Sequence, residues 1–391
     1  MGYIGLPTAA LIASRQIPVH GVDVNKKVTD TINKGKIHIV EPDLEGLVHY
    51  GVEQGLLVAS NEVRDADVFI VAVPTPFKGD HEPDLSFVES ATRMVLSFLK
   101  EGNLFIIEST SPVGTTEKMA ALIFKDRPEL KNKISIAYCP ERVLPGSVIY
   151  ELQNNDRVIG GIDDQSTEAA LKFYSKFVKG NLHKTNSRTA EMCKLVENAY
   201  RDVNIAFANE LSIICDKADI RVNDLIELAS KHPRVKILNP GPGVGGHCIA
   251  VDPWFIVSEF KEEANMIRQA RLTNNYKKEW VISKVQVAAD EFEKQNGRKP
   301  VIACLGLSYK ADIDDLRESP ALDIYMELKK NKNTLIAVEP NLKQHQDIAL
   351  VDSIKAIPGS DILVFLVAHK EFRTLAIPRE KIVLDFCGSR K

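Results

Sequence analysis

Met1-Gly2-Tyr3-Ile4-Gly5-Leu6-Pro7 opens the chain, and its sequel decides how the fold is read. Gly2-x-x-Gly5 runs straight into residues 8–15, which have helical periodicity. An apolar, β-branched run at 19–24 follows and holds Asp23 near its end. A glycine loop, a helix start and an acidic strand end make up the later part of a dinucleotide-binding fingerprint. Helix N-terminal N–H groups would take a pyrophosphate, and Asp23 an adenosine ribose. Gly2, Tyr3, Ile4, Gly5 and Asp23 are therefore candidate cofactor contacts. An acid rather than an arginine at the strand end points to NAD. The strand that normally precedes such a loop is missing, together with the first glycine. That central strand would bury four or five apolar side chains, roughly 5–10 kcal/mol at about 1.5–3 kcal/mol each. The expectation is that the natural polypeptide carries a strand's worth of residues, roughly 8–12, before Met1.

The same alternation of short apolar strands and helical patterns continues outward. Strands are expected at 68–73, 104–108, 134–138 and 157–160, with helices at 24–34 and 86–99 between them, which reads as a parallel α/β sheet. From residue 187 the pattern becomes helical: 187–218 without Gly or Pro, then 223–231, then 262–294. After the polar break Asn296-Gly297-Arg298-Lys299-Pro300, strands return at 301–305, 334–338, 361–367 and 381–386. The expected organisation is two Rossmann-like parallel-sheet domains, 1–186 and 296–391. A central helical region, 187–295, joins them, and its excess of apolar surface suits a homodimer core.

Composition narrows the function. The 391 residues carry Lys+Arg 50 against Asp+Glu 53, a formal charge of −3, so nothing global invites nucleic acid or an anionic membrane. No apolar run has transmembrane length, and nothing reads as a secretory leader. Cysteines 139, 193, 215, 248, 304 and 387 are scattered without metal spacing, which predicts reduced thiols, a cytoplasmic location and no structural metal.

One cysteine stands apart. Gly241-Pro242-Gly243-Val244-Gly245-Gly246-His247-Cys248-Ile249-Ala250-Val251-Asp252-Pro253 sets a thiol behind four glycines, with a carboxylate a helical turn later. Glycines let a substrate approach the backbone closely, and a thiolate is a strong nucleophile able to form covalent intermediates. A structural cysteine in a glycine-rich turn is the alternative. Lys194 and Asn198 lie one turn apart on the first long helix and face the same way. Thr75 in Val73-Pro74-Thr75-Pro76 and Thr110 in the run after Glu108 sit at strand ends, where open α/β sheets bind ligands. Glu141 lies at a third.

These fragments converge on a resemblance. GYIGLP (2–7), VAVPTP (71–76), ESTSPVGTTEK (108–118), CPERVLPG (139–146) and KLVENAYRDVNIAFANE (194–210) occur in order. HPR (232–234), GPGVGGHCIAVDP (241–253) and GLSYKADIDDLRESPALDI (306–324) complete the set. Together they resemble the UDP-glucose/GDP-mannose dehydrogenase family over essentially the whole chain. The resemblance implies oxidation of a sugar 6-hydroxymethyl group to a carboxylate, using two NAD⁺ and one water. It also implies a Cys248 thiohemiacetal and thioester, Lys194 and Asn198 stabilising the oxyanion, and Glu141 as a base acting through water. By the same resemblance Asp252 is the carboxylate near the hydrolytic water, and Thr110 positions that water or the nicotinamide. Thr75 and Arg317 fall on the cofactor side. Arg142, Val143, Gly245 and Lys310 fall on the UDP-sugar side, and Arg234 reaches the sugar of a partner subunit. The spellings of 139–146 and 241–255 favour a UDP-N-acetylhexosamine, UDP-N-acetyl-D-mannosamine foremost. UDP-N-acetylglucosamine, UDP-glucose, or an inert nucleotide-binding protein are the alternatives. Pro145 stands where UDP-glucose enzymes have a second Glu, which argues against glucose. His247 stands where an aromatic is frequent, and either hydrogen-bonds to backbone or lowers the thiol pKa.

Overall fold

The computed structural model describes residues 1–79, 81–143, 146–246 and 248–389, so the expectations attached to Pro145 and His247 lie outside the described residues. The chain divides into two compact units, Met1–Glu197 and Asn198–Lys391.

The first unit runs α1 (Gly5–Ala13), β1 (Val19–Val22), α2 (Lys26–Ile32), α3 (Leu44–Glu53), β2 (Leu57–Ser60) and β3 (Val68–Val71). After the short pair β4 (Phe77–Lys78) and β5 (Glu82–Pro83) come α4 (Ser86–Val95), β6 (Leu104–Ile107), α5 (Thr115–Asp126) and β7 (Ser135–Tyr138). It continues through α6 (Val148–Asn154), β8 (Arg157–Gly161), α7 (Asp164–Tyr174) and β9 (Leu182–Asn186) into the long α8 (Ser187–Lys217). Its strands form a parallel pair, β1-β2, and a five-stranded sheet in the order β3-β6-β7-β8-β9. All pairs in that sheet are parallel except β7 with β8, which is antiparallel and departs from the all-parallel expectation.

Alternation along β6 and β7 explains why the sheet must be covered on both sides. Leu104, Ile106, Ala137 and Cys139 enter one core with α1 and α7 residues. Phe105, Ile107, Ile136 and Tyr138 enter the other, with Met119 and Ile123 of α5. Each fully buried large side chain contributes roughly 1.5–3 kcal/mol, so a central strand apolar on both faces is stable only between two helical layers. Helix α8 starts where it does because the Asn186 side chain accepts from Thr189 N at 2.9 Å and caps it.

The second unit holds the rest of α8, then α9 (Val222–Ala229), α10 (Asp252–Glu259) and α11 (Asn265–Asn296), which ends on Gly297 at φ 65°. Then follow β10 (Val301–Leu305), α12 (Pro320–Lys330), β11 (Thr334–Val338), α13 (Ser353–Ala356), β12 (Ile362–Phe365) and β13 (Ile382–Asp385). The sheet is parallel, in the order β11-β10-β12-β13. Ile302, Cys304, Ile362 and Val364 face one core, Ala303, Leu305, Leu363 and Phe365 the other. The second α/β end therefore repeats the logic of the first.

Candidate active site

In the first unit the glycine loop sits at the start of α1. A side chain at Gly2 would meet nothing within 4 Å, Tyr3 is exposed, and no side chain caps α1. An open, uncapped helix start is what a pyrophosphate needs, so these residues fit the diphosphate of NAD. Asp23 follows β1, as expected. Its Oδ2 accepts from the Met1 amino group at 2.7 Å and its Oδ1 from Asn25 N at 2.8 Å.

The two strand-end motifs expected on the cofactor side meet. Thr75 Oγ1 donates to Thr110 O at 2.7 Å, and Val73 N donates to Ser109 Oγ at 2.8 Å. Glu191 of α8, which sequence reasoning missed, fixes the far end of this loop. Its carboxylate accepts from Gly114 N (2.6 Å), Thr116 N (2.7 Å) and Thr116 Oγ1 (2.7 Å) at the start of α5, where an anion suits the helix dipole.

Glu141 is buried, 8% exposed. Burial raises its pKa, and Lys194 and Arg157 pull it back without cancelling the rise, so the carboxyl holds a proton more readily than a free one does. Val143 N–H donates to the same carboxyl. Arg142, expected on the substrate side, forms an ion pair with Glu197 of α8 at 2.6 Å and donates to Asp156 O at 3.1 Å. A second unforeseen carboxylate, Glu41, accepts from Gly146 N (2.9 Å) and Val148 N (2.7 Å) and so pins the chain after this segment. Single acids far away in sequence leave no local pattern to read.

In the second unit the cysteine loop is built much as its glycines imply. Cys248 is exposed. Its carbonyl accepts from Val251 N (3.1 Å) and Asp252 N (2.9 Å), a turn that leads into α10. Asp252, 3% exposed, accepts from Asn198 Nδ2 at 2.5 Å, so two of the expected catalytic side chains and the thiol's own turn are brought together. A Cβ on Gly245 would lie 2.2 Å from Glu318 O, and one on Gly246, at φ 82°, would strike the Tyr309 ring at 2.9 Å. Only glycine fits either position. At the loop's start Gly241 N donates to Asn209 Oδ1 at 2.9 Å, and Asn209 Nδ2 donates to Asn274 Oδ1 at 2.9 Å. Asn274 in turn donates to Asp202 Oδ1 (2.8 Å), the partner of Arg271 in a buried ion pair at 2.6 Å. Asn209 was within a block recognised in the sequence, yet nothing in its spacing marked it as the loop's tether.

Lys310 is exposed after β10. Arg317 pairs with Asp315 at 2.6 Å, and Arg234 is exposed beyond α9. Glu339, at the end of β11, occupies the place in this sheet that Asp23 has in the first. It is turned inward, accepting from Leu307 N (2.7 Å), Ser308 N (3.0 Å) and His369 Nε2 (3.1 Å). The acid that takes a ribose in a dinucleotide fold here holds its own loop, and the repeated strand-end acid was the signal that could have found it. Asp312, His369 and Glu371 bring possible metal-ligand atoms within 4.8 Å of one another. However, His369 Nδ1 already accepts from Asp312 N at 3.0 Å and Nε2 faces Glu339, so the imidazole is committed within the protein.

Two Rossmann-like sheets, one opening on a dinucleotide loop and the other beside an exposed thiol, define a nucleotide-binding protein of the dehydrogenase type. The chain belongs to the UDP-glucose/GDP-mannose dehydrogenase family. The family's NAD binding domain matches residues 1–178, its central domain 188–276 and its UDP binding domain 303–389. The chain is 53% identical to a UDP-N-acetyl-D-mannosamine dehydrogenase of Campylobacter jejuni, over 99% of this chain and 97% of that protein. It is 51% identical to an NDP-N-acetyl-D-galactosaminuronic acid dehydrogenase of Ralstonia nicotianae, over 99% and 94%. The solved structure of a UDP-D-ManNAc dehydrogenase from Pyrococcus horikoshii superposes with a TM-score of 0.90 at 38% identity, covering 100% of this chain and 94% of that one.

Proposed function

We propose that the protein oxidises C6 of a UDP-N-acetylhexosamine, UDP-N-acetyl-D-mannosamine foremost, to the uronate. The observation that carries this reading is the exposed Cys248 on a glycine-built turn that also presents Asp252, itself held by Asn198. Near-full-length similarity to UDP-N-acetyl-D-mannosamine dehydrogenases supports the sugar. Bound NAD⁺ supplies the hydride acceptor, two equivalents per sugar. Glu141, through water, takes the proton of the 6-hydroxyl as the aldehyde forms. The Cys248 sulfur then adds to the aldehyde carbon, which keeps a reactive intermediate in place until the second oxidation converts it to a thioester. Lys194 and Asn198 stabilise the oxyanion at that carbon. Attack by water, positioned by Asp252 and Thr110, releases the carboxylate and the thiol. Gly2, Tyr3, Ile4, Gly5, Asp23, Thr75 and Arg317 hold the cofactor, and Arg142, Val143, Gly245, Lys310 and Arg234 the nucleotide sugar.

A second sugar is favoured by a specific finding, the 51% identity to an N-acetylgalactosaminuronic acid enzyme. Turnover of UDP-linked N-acetylmannosamine, N-acetylglucosamine, N-acetylgalactosamine and glucose, with NADH counted per uronate, separates the readings. Two NADH per N-acetylmannosaminuronate is expected, and no oxidation of any of the four sinks the proposal. We further assign a homodimer and a cytoplasmic location, the latter on scattered thiols that form no disulfide and to be checked by cell fractionation. Among the described residues no helix is long and apolar enough to cross a membrane.

A further inference from the structure

Behind Glu141 lies a buried polar cluster that the reaction as drawn does not use. Glu108 follows β6, Cys139 follows β7, Arg157 opens β8 and Tyr174 closes α7. The strand register brings them together. Ile107 pairs with Tyr138, so the next step sets Glu108 beside Cys139. In the antiparallel pair Tyr138 faces Gly160, and Arg157 at the start of β8 acts electrostatically on Glu141 beyond the end of β7. Glu108 is 3% exposed and Arg157 2%. Tyr174 Oη donates to Glu108 Oε1 at 2.6 Å, and the Arg157 guanidinium lies 5.5 Å from the centroid of the Tyr174 ring.

Three buried atoms here have no hydrogen-bond partner among the described residues, Glu108 Oε2, Glu141 Oε1 and Arg157 Nη1, while the Thr8 hydroxyl lies against the Glu108 carboxyl. Arg157 acts electrostatically on both carboxyls, yet among the described residues no direct ion pair joins it to either. Charged groups buried in one cluster, with no direct ion pair among the described residues and each with an unused atom, form the surround that a buried water satisfies, since such a water needs two to four polar partners.

We propose that a buried water joins Glu108, Arg157 and Glu141, and that Glu108 is a positioning residue that stores and returns the proton Glu141 takes from the substrate. This rests on the reading of Glu141 as the base. The transfer is balanced: the Glu141 carboxyl gives its proton to the water, the water gives one of its own to Glu108 Oε2, and the single negative charge changes place. Arg157 offsets whichever carboxylate is ionised. Lys194 from α8 does the same for Glu141, while Thr8 from α1 and Tyr174 from α7 border Glu108. Burial raises both carboxyls, with Arg157 opposing the rise in each and Lys194 in Glu141, and it holds the Cys139 thiol up at about 11, so that the thiol stays neutral. Two raised carboxyls beside one cation titrate as a pair that retains a proton.

The pH profile of kcat/KM for the intact chain tests this. Glu108→Gln removes the negative charge that raises Glu141, so the acid limb moves to lower pH. Arg157→Met removes the cation that favours ionised Glu141, so the limb moves to higher pH by about one unit, a tenfold loss at fixed pH on that limb. Arg157→Lys lies between wild type and Arg157→Met, and KM for the UDP-sugar stays constant throughout. Loss of activity that is uniform across pH, with no movement of either limb, overturns the proposal and leaves a purely structural cluster. A wild-type protein that oxidises no UDP-sugar defeats the underlying reading instead, and does so before any variant is made. Infrared titration of the wild type provides a readout independent of turnover and of variant folding. A protonated carboxyl band should persist above the ordinary carboxylate range and shift in Tyr174→Phe, and its absence from the wild type overturns the proposal.

Discussion

Cys248 shows how far one residue can be read from its neighbours. Four glycines in front and Asp252 behind announced close approach and a nearby carboxylate. The structure adds that the thiol's own carbonyl seats that carboxylate's turn. Cys248→Ser retains the turn but replaces the sulfur with a poor nucleophile. Uronate formation is expected to fall by about 10³-fold or more, the scale on which losing a nucleophile acts; measurement by product analysis that found steady four-electron turnover would refute the covalent role. Glu339 shows the opposite case. It stands at a strand end like Asp23, yet burial and three donors turn it into a loop clamp. Residue type and strand position alone did not distinguish the two, because the difference lies in which donors surround each carboxylate.

At the scale of elements, the interest lies where α8 and α11 pack. Asn209 links Gly241 to Asn274 and thence to the Asp202–Arg271 ion pair. Asn209→Ala leaves Gly241 N–H and Asn274 Oδ1 without this partner, at about 1–3 kcal/mol for each buried group. A lowered melting temperature is expected together with faster alkylation of Cys248 by iodoacetamide as the loop loosens, whereas an unchanged alkylation rate would confine Asn209 to a role in stability. Lys277 lies in the same interface, 1% exposed, its Nζ 2.6 Å from Ser212 Oγ and 3.7 Å from the centroid of the Trp280 ring. Burial lowers its pKa to about 7 from 10.5, with Asp216 opposing. The unfolded chain then binds more protons than the folded one between about 7 and 10.5. Stability should therefore rise with pH across that window, and the penalty is present in full below it. Denaturant titrations of wild type and Lys277→Met check this: the variant should lose that part of the slope and gain stability at neutral pH. Equal slopes in the two proteins would contradict it.

For the whole molecule, the long helices leave apolar side chains uncovered in a regular way. On α8, Tyr200, Phe207 and Ile214 recur every seven residues and are 69%, 55% and 53% exposed. On α11, Leu272 and Tyr276 are exposed one turn apart. A stripe of this spacing suits packing against another helix, and a second copy of the chain is the occupant that the proposed homodimer would supply. Phe207→Glu should shift sedimentation from dimer to monomer with far-UV dichroism unchanged. A wild type that sediments as a monomer at micromolar concentration would remove the dimer from the account.

The alternation of strands and helices, the glycine loop, the cysteine loop and the family are all legible along the chain, because each is written in adjacent residues. β6 and β7 were legible as strands, and α8 as a long helix, from apolar periodicity alone. Packing alone reveals which distant carboxylates hold which loops: Glu41 on 146–148, Glu191 on 114–116 and Glu339 on 307–308. It reveals too that β8 runs back along β7, with Arg157 acting electrostatically on Glu141. The physical reason is the same in each case. A buried charge must find donors or a counter-charge wherever the packed chain brings them, and that pairing leaves no trace in local periodicity.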